Sequence, residues 1–233
     1  MTSDEHSGVK VVLSPELKKK YDALTSAIRA YDRVIVAFSG GVDSSLVAYV
    51  AARALGEKAL AVTSGSKSLK RSDLTLATEL AGKWGMQHRI IVTDELMKPD
   101  YRANPVDRCF HCKTSLYDAL DDISQELGGA KVLNGTNCDD LGDHRPGLIA
   151  AADHDVASPL VDAGFSKSDI RELAAHLGLD NAAKPQAACL SSRFPYGSHI
   201  TEARLEQVER AENVLAELGF TQYRVRHHED VAR

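Results

Sequence analysis

The run VIVAFSGGVDSS, residues 34–45, constrains the fold more than any other part of the chain. It joins an apolar, largely β-branched stretch to a Ser-Gly-Gly turn, and an amphipathic segment then continues to Leu55. Glycines let backbone N–H groups approach an anion closely, and the start of a helix offers further unpaired N–H groups. The run therefore predicts a strand, a phosphate-binding loop and a helix N-terminus.

The polar side chains of this loop favour a nucleotide accompanied by a cation. Its serines add hydroxyl donors, and Ser44 or Ser45 is suited to cap the helix. Asp43 would repel a phosphate directly, so we expect it to hold a Mg²⁺ ion that also contacts the phosphates. The predicted ATP-binding residues of the loop are Ser39, Gly40, Gly41, Val42, Asp43, Ser44 and Ser45.

Two common phosphate-binding motifs do not match this loop. The Walker motif needs Lys followed by Ser or Thr after its second glycine, and the dinucleotide motif needs a third glycine at fixed spacing. Residues 39–44, SGGVDS, instead resemble the PP-loop of the ATP pyrophosphatase superfamily. That resemblance implies an enzyme that binds ATP, releases pyrophosphate and leaves AMP on a substrate oxygen. An ordinary glycine-rich turn is the alternative.

Composition places the chain among ordinary globular proteins. Of its 233 residues, 43% are hydrophobic and 26% charged, which suits one well-buried domain with or without a smaller appendage. The net charge of −5 speaks against a general nucleic-acid binder, and no apolar run reaches the length of a membrane span. Residues 1–10 are polar and lack an apolar signal core, so we expect a cytoplasmic protein.

Strand-like and helix-like segments alternate along most of the chain. Strands are predicted at 34–38, 58–63, 87–93, 131–137 and 156–161, and helices at 14–31, 44–55, 72–84, 112–127 and 166–177. This alternation predicts an α/β fold with a doubly wound parallel sheet. Ligands of such sheets bind beyond the carboxyl ends of the strands, so we expect Thr63 and Gly135 to contact the nucleotide. Strand ends that are polar only for solubility are the alternative at both positions.

The pattern changes after the last of these helices. Residues 180–200 have almost no periodicity, and a charged helix over 201–218 and a strand over 221–227 are predicted to follow. We therefore expect a PP-loop domain, residues 1–185, and a smaller unit, residues 186–233. A loop this long inside a compact chain is usually functional or disordered.

The long loop contains Cys189, one of four cysteines, for which disulfides are not expected in a cytoplasmic chain. Lys184 and Arg193 lie nearby in sequence, and cationic neighbours favour the reactive thiolate. The hydroxyls of Ser191 and Ser192, together with Arg193, are suited to hold a phosphate or carboxylate. A buried structural thiol is the alternative interpretation of Cys189.

Three segments resemble one family within the superfamily. They are ACLSSRFPYG at 188–197, RCFHCK at 108–113 and YRVRHH at 223–228, and the resemblance extends over nearly the whole chain. They resemble the LarE family of ATP-dependent sacrificial sulfur transferases. Members act on pyridinium-3,5-biscarboxylic acid mononucleotide and help to build the nickel-pincer cofactor of lactate racemase. The implied cofactors are ATP and Mg²⁺.

The LarE resemblance implies a mechanism and a set of site residues. ATP adenylates a substrate carboxylate, the Cys189 thiolate displaces AMP, and cleavage of the cysteine C–S bond then leaves dehydroalanine. Ser192, Arg193, Arg224 and Arg226 are expected to bind the substrate, the last two as a phosphate clamp on one face of the predicted strand. A solvated edge strand is the alternative for that pair. Glu212 corresponds best to a family metal-site carboxylate, so the predicted metal ligands are Asp43 and Glu212.

The remaining features carry less information. Cys109-x-x-Cys112 is a weak signal for a metal or redox site, and a helix entry near the nucleotide is the preferred interpretation. No second cysteine is near Cys189 in sequence, which favours sacrifice of its sulfur over a cluster-borne, recycled sulfur. The family usually continues past the point where Arg233 ends, so a truncated chain is one reading. We expect a homo-oligomer that works with other nickel-pincer biosynthesis proteins, without nucleic-acid or membrane partners.

Three alternatives stay open. An NAD or GMP synthetase-like amidotransferase needs no cysteine in the acceptor loop, so its activity would survive Cys189→Ser. A tRNA-thiolating PP-loop enzyme predicts basic extensions and a paired catalytic cysteine, and the acidic balance of this chain speaks against it. A nucleotide-binding module without catalysis predicts ATP binding without pyrophosphate release.

Overall fold

The computed structural model describes residues 13–142, 146–228 and 231–233. The helices of this part are α1 (Pro15–Arg29), α2 (Val42–Leu55), α3 (Arg71–Lys83), α4 (Pro99–Arg102), α5 (Arg108–Glu126), α6 (Pro146–Asp153), α7 (Pro159–Asp162), α8 (Lys167–His176) and α9 (Glu202–Glu217). The strands are β1 (Val34–Ala37), β2 (Ala59–Ser64), β3 (Gln87–Ile91), β4 (Lys131–Leu133), β5 (His227–His228) and β6 (Val231–Ala232).

Strands β1 to β4 form a parallel sheet in the order β3-β2-β1-β4. Val34 pairs with Ala59 on one side and with Lys131 on the other, so β1 is a central strand. Parallel strands joined by helices need both faces of the sheet covered, which explains why the central strands are apolar almost throughout. The predicted α/β fold with a parallel sheet is confirmed.

Each face of the sheet has its own core because side chains alternate along a strand. Val34 and Val36 face a core shared with residues of α1, α2, α3 and α8. Ile35 and Val62 belong to a second core, formed with α5 and α6. The sheet is therefore covered by helices on both sides, and its carboxyl edge is the side at which loops bring functional groups together.

A third cluster of buried residues joins the C-terminal region to the rest of the chain. Tyr101 of α4 packs with Leu190 and Phe194 of the long loop and with Leu205 of α9, and Cys112 lies against the same cluster. The cysteine loop therefore packs directly against helix α4 and the start of α5. The division into units at residue 185 remains a prediction.

Several predicted boundaries were wrong. A fifth strand was expected at 156–161, but only Ala157 bridges Leu133, and α7 begins at Pro159, where a proline suits the first turn. The strand expected at 221–227 is irregular up to the two-residue β5, which pairs antiparallel with β6. Helix α5 begins at Arg108, four residues before the predicted start.

Within the described ranges no helix is both long and apolar enough to cross a lipid bilayer.

Candidate functional site

A cavity of about 780 Å³ opens at the carboxyl edge of the sheet, a size typical of small-molecule sites. The predicted nucleotide contacts that line it are Ser39, Gly41, Asp43, Ser44, Thr63 and Gly135. Cys189 lines the same cavity, although about 150 residues separate it from the PP-loop in sequence. The fold thus brings the predicted phosphate loop and the predicted nucleophile to one space.

The PP-loop is preorganised by its own serines and by a left-handed glycine. Gly40 has φ +69°, a conformation that favours glycine, and Gly41 is the N-cap of α2. The hydroxyl of Ser44 accepts from the Ser39 N–H and lies 3.1 Å from Ser39 Oγ. The first-turn N–H groups of α2 have no partner inside the helix, so they are available to an anion.

Three loop residues predicted to bind ATP do not line the cavity: Gly40, Val42 and Ser45. Val42 is buried in the core, and Ser45 is fully buried, where its hydroxyl accepts from Asn181 Nδ2 at 2.7 Å. Asn181 also donates to the carbonyl of Gly40 at 2.9 Å, so it holds the loop from behind. The predicted hydroxyl contact from Ser45 to the nucleotide is therefore not supported, and Asn181 is a positioning residue that sequence reasoning missed.

Asp43 lies at the cavity wall and is held by Lys167, whose ammonium binds Oδ2, and by Asn137 Nδ2 at 3.5 Å. Its side chain is 25% exposed, so a ligand in the cavity can reach it. Asp140 lines the same cavity. Mg²⁺ usually takes one or two carboxylates together with phosphate oxygens, and this donor set fits that requirement.

Thr63 and Gly135, at the ends of β2 and β4, pack closely around the PP-loop. Thr63 Oγ1 donates to the carbonyl of Phe38 and contacts His88 Nε2, both at 2.8 Å, and burial lowers the pKa of His88. Gly135 lies against the start of α2, because a Cβ there would stand 2.6 Å from the nitrogen of Ser44. Both contacts fix the strand ends around the PP-loop.

The cysteine loop is held by its main chain. Leu190 is fully buried, and its N–H donates to the carbonyl of Ser68 at 2.9 Å. Ser192 donates to the carbonyl of Cys189 at 2.8 Å, and Arg193 Nη1 donates to the carbonyls of Ala188 and Cys189 at 2.6 and 2.9 Å. These bonds fix the loop around Cys189 while leaving the residue at the cavity wall.

The structure does not support Glu212 as a metal ligand. Its Oε1 accepts from Arg193 Nε at 2.8 Å and from the Val225 N–H at 3.0 Å, and its Oε2 binds Arg193 Nη2 and Lys70 Nζ at 3.1 and 2.6 Å. Burial acts to raise the Glu212 pKa, but hydrogen bonds from Arg193 and Lys70 bring it below its usual value. A fully buried carboxylate with two cations on its oxygens has no position left for Mg²⁺.

The same contacts correct the role predicted for Arg193. Its side chain is only 3% exposed, and its donors go to Glu212, to two loop carbonyls and to Ser192 Oγ. Arg193 therefore holds the cysteine loop, and direct binding of substrate by its guanidinium is not what the structure shows. The cationic neighbours expected to activate Cys189 are also engaged elsewhere, since Lys184 pairs with Asp73 at 2.8 Å.

Cys189 does have cysteine neighbours in space, contrary to the expectation from sequence. Cys109 and Cys112, in the first turns of α5, line the same cavity. Burial, with the nearby Cys189 and Glu95, raises the pKa of Cys112 to about 12, so this group stays a thiol at neutral pH. The described residues contain no group of three or more His, Cys, Asp or Glu side chains arranged to hold a metal ion.

A second, smaller cavity of about 290 Å³ lies beside the first, and Tyr196 lines both. Its walls include the predicted substrate residues Ser192, Arg193 and Arg226, together with Arg108 and His228. Arg224 does not line it and is exposed. Of the two arginines predicted to clamp a phosphate, Arg226 therefore lines this cavity and Arg224 does not.

Glu95 and Lys113 also line the main cavity. Sequence reasoning did not single out Glu95, and it expected Lys113, with Arg108, to face the nucleotide phosphates. Glu95 follows the end of β3, and its place at the carboxyl edge of the sheet was the only sequence feature that pointed to a functional role. Lys113 directly follows the Cys109-x-x-Cys112 segment, and its ammonium lies 5.9 Å from the centre of the Tyr117 ring. Its sequence signal was adjacency to those cysteines.

The asparagine synthase family matches residues 20–110, which span β1, the PP-loop and strands β2 and β3. With the parallel sheet and the SGGVDS loop at the start of α2, this match defines an α/β protein of the PP-loop ATP pyrophosphatase class.

Individual relatives narrow this class. A protein of Lactiplantibacillus plantarum named pyridinium-3,5-bisthiocarboxylic acid mononucleotide synthase is 38% identical over 93% of this chain and 79% of its own length. An uncharacterized protein of Synechocystis sp. is 43% identical over 93% of this chain and 81% of its own. The tRNA-specific 2-thiouridylase of Azorhizobium caulinodans is 28% identical over 79% of this chain and 57% of its own. The chain belongs to the LarE family and is an ATP-dependent sulfurtransferase that acts on a small molecule.

Proposed function

We propose that this enzyme adenylates a carboxylate of pyridinium-3,5-biscarboxylic acid mononucleotide and transfers to it the sulfur of its own Cys189, which becomes dehydroalanine. The observation that carries the proposal is the shared cavity: Cys189 and the PP-loop residues Ser39, Asp43 and Ser44 line one space. An adenylate formed at the loop lies within the same cavity as the thiol that attacks it. The product thiocarboxylate would serve nickel-pincer cofactor synthesis with other proteins of that pathway.

The first step activates the carboxylate. Backbone N–H groups at the start of α2 bind the phosphates of ATP, and the positive end of the helix dipole favours their charge. A substrate carboxylate oxygen attacks the α-phosphate, the bond to the β-phosphate oxygen breaks, and pyrophosphate leaves with that electron pair. Mg²⁺ would be held by Asp43, with Asp140 beside it, and would neutralise phosphate charge.

In the second step Cys189 acts as nucleophile. Its sulfur attacks the acyl carbon of the adenylate, and AMP leaves with the electron pair of the acyl–oxygen bond, which produces a thioester. Lys113 also lines the cavity and supplies positive charge to it. Cys112 is held as a thiol by burial, which leaves Cys189 as the better nucleophile of the two.

In the third step the cysteine loses its sulfur. A base removes the Cα proton of Cys189, the resulting electron pair forms the Cα–Cβ double bond, and the Cβ–S bond breaks. The sulfur leaves with the substrate as a thiocarboxylate, so atoms and electrons balance without an external oxidant or reductant. The main-chain bonds of Leu190 and the Cys189 carbonyl hold the residue in place during this step.

The second cavity supplies a site for the phosphate of the mononucleotide. Arg226 and His228 line it with the exposed Ser192, and the buried Arg108 adds positive charge behind them. Arginine and hydroxyl groups are suited to phosphate oxygens. Tyr196 lines both cavities, so a substrate with its phosphate in the smaller one can extend its ring toward Cys189.

We also propose a cytoplasmic homo-oligomer. The end of α9 exposes the apolar side chains of Val214 and Leu218, and Phe220 follows them at 58% exposed. A cluster of exposed apolar groups favours association with another copy. Light scattering coupled to gel filtration tests this, and a monomer at micromolar concentration would contradict it.

A recycled sulfur is the second candidate mechanism, and the observation in its favour is the presence of Cys109 and Cys112 in the cavity of Cys189. In that mechanism a sulfane sulfur carried on a cysteine is transferred and the cysteine side chain survives. The two mechanisms predict different masses for the used protein.

The test is intact-mass and peptide mass spectrometry after incubation with ATP, Mg²⁺ and the pyridinium mononucleotide. We expect the peptide containing Cys189 to lose the mass of one H₂S in step with product formation. Cys189→Ser should release pyrophosphate without sulfur transfer, whereas Cys138→Ser, a cysteine absent from the cavity wall, should react as the wild type does. Product formed with an unchanged Cys189 peptide would contradict the sacrificial mechanism.

A further inference from the structure

Glu95 is a carboxylate buried in the wall of the main cavity. It lies in the short turn Glu95–Met97 after β3 and is 1% exposed. Its Oε1 accepts from Ser68 Oγ at 3.1 Å, and its Oε2 accepts from Thr93 Oγ1 at 2.5 Å. Among the residues that the structure describes, the salt bridges do not include Glu95, so hydroxyl groups orient the carboxylate without neutralising its charge.

The same Ser68 connects Glu95 to the cysteine loop. Its hydroxyl donates to the Glu95 carboxylate, and its carbonyl accepts from the N–H of Leu190, the residue after Cys189. One residue thus fixes both the carboxylate and the main chain beside the reactive cysteine. Glu95 and Cys189 both line the cavity, and Ser68 is the residue that bonds to both the carboxylate and the cysteine loop.

We propose that Glu95 is the base that removes the Cα proton of Cys189 after the thioester has formed. This inference rests on the sacrificial mechanism proposed above and assigns its last step. The proton moves to a carboxylate oxygen of Glu95, the C–H electron pair becomes the Cα–Cβ double bond, and the thiocarboxylate departs with the Cβ–S pair. Glu95 ends protonated and Cys189 ends as dehydroalanine.

Three other titratable groups of the cavity wall, Asp43, Lys113 and Cys112, fit this role less well. Asp43 is paired with Lys167 at the PP-loop. Lys113 carries an ammonium, which is an acid. Cys112 is a thiol whose pKa is raised to about 12, so it is not a ready base at neutral pH. Glu95 combines a negative charge, burial and a hydrogen-bonded connection to the cysteine loop.

The experiment follows the Cys189 peptide through a single turnover of Glu95→Gln with ATP, Mg²⁺ and the pyridinium mononucleotide. Gln keeps an acceptor for Ser68 and offers an amide donor that the Thr93 hydroxyl can accept, but it cannot take a proton. We expect pyrophosphate release close to the wild-type rate, accumulation of the substrate adduct on Cys189, and loss of H₂S slowed by about 100-fold or more. Dehydroalanine at the wild-type rate, or arrest before the adduct, would overturn the proposal.

Two further variants keep the test decisive. Glu57→Gln removes an exposed carboxylate at the amino end of β2, on the opposite edge of the sheet, and should behave as the wild type does. Glu95→Asp retains a carboxylate withdrawn by one methylene, so the adduct should appear and its elimination should slow by about tenfold; an unchanged elimination rate would count against the proposal. Failure of the proposed function is distinguishable, since wild type and Glu57→Gln would then also keep their sulfur.

Discussion

Gly135, after strand β4, touches the start of helix α2 so closely that a Cβ atom at this position would lie 2.6 Å from the backbone nitrogen of Ser44 and 2.9 Å from its Cα. The contact places the end of one strand against the N–H groups that are expected to bind the phosphates. Both sides of the contact are backbone, so no side chain can rotate away to make room.

Gly135→Ala should therefore displace the PP-loop and weaken ATP binding by about tenfold or more. Isothermal titration calorimetry with a non-hydrolysable ATP analogue measures the loss. Gly82→Ala is the matched control, because a Cβ at this position in α3 would have nothing within 4 Å. Equal affinities of the two variants would show that the loop tolerates the added methyl.

Glu212→Ala should destabilise the protein by about 3–5 kcal/mol, because it leaves the buried Arg193 and the partly buried Lys70 without their partner. Urea unfolding followed by circular dichroism measures the change. Glu217→Ala, an exposed site on the same helix, should stay within about 0.5 kcal/mol of the wild type. A metal role for Glu212 would instead make the stability of the wild type depend on added Mg²⁺.

The contacts of Glu212 with Arg193 and Lys70 also predict that stability depends on pH. The Glu212 pKa is lower in the folded than in the unfolded protein, so its contribution is fully present above the ordinary glutamate pKa of about 4.3 and is lost as pH falls through the folded value. The stability difference between wild type and Glu212→Ala should be constant from pH 6 to 8 and shrink below that ordinary value. A constant difference down to about pH 3 would contradict this assignment.

Arg226→Ala should raise the KM for the mononucleotide by about tenfold, since Arg226 lines the second cavity and would lose a charge-assisted bond to phosphate. Arg224→Ala, two residues away and outside that cavity, should change KM by less than about threefold. Because each molecule reacts once in the proposed mechanism, KM here is the mononucleotide concentration that gives half the maximal rate of single-turnover pyrophosphate release, measured for both variants. Equal effects would favour the paired clamp that the sequence suggested.

Cys112 should resist alkylation far more than Cys109. With a pKa of about 12, roughly one molecule in ten thousand carries the Cys112 thiolate at pH 8, whereas Cys109 is exposed in the first turn of the same helix. Timed iodoacetamide labelling with peptide mapping gives the two rates. Comparable labelling would remove the reason for preferring Cys189 over Cys112 as nucleophile.

The parts of this protein that were predicted correctly are determined by residues that are close together in sequence. The strand, glycine turn and helix start at 34–45 are contiguous in sequence, and helix signals such as the Ser166–Asp169 capping box act within a few residues. The fold class and the LarE family followed from such segments. The strand expected at 156–161 failed because Pro159 suits a helix start, and its apolar pattern does not distinguish a strand from a buried helix.

The errors at the site arose from tertiary contacts. No pattern in sequence shows that the start of α5 meets the long loop, so the sequence does not predict that Cys109 and Cys112 share a cavity with Cys189. Glu212 pairs with Arg193, 19 residues earlier, and with Lys70, far earlier in the chain. Neither pairing is visible in the sequence, so Glu212 and Arg193 were each predicted to contact a ligand. Glu95 carried no signal beyond its position after a strand, because its burial depends on the loop that covers it.

The hydrogen bond from Leu190 to Ser68 has a consequence for the fate of the protein in the cell. The cysteine loop is anchored by the buried Leu190 and by main-chain groups, all of which survive when a sulfur atom is removed. On the proposed sacrificial mechanism, a molecule that has reacted once would therefore stay folded and resist proteolysis as well as a new one does. Sulfur delivery would then be limited by protein synthesis, and inactive copies would accumulate and compete for ATP and substrate with fresh ones.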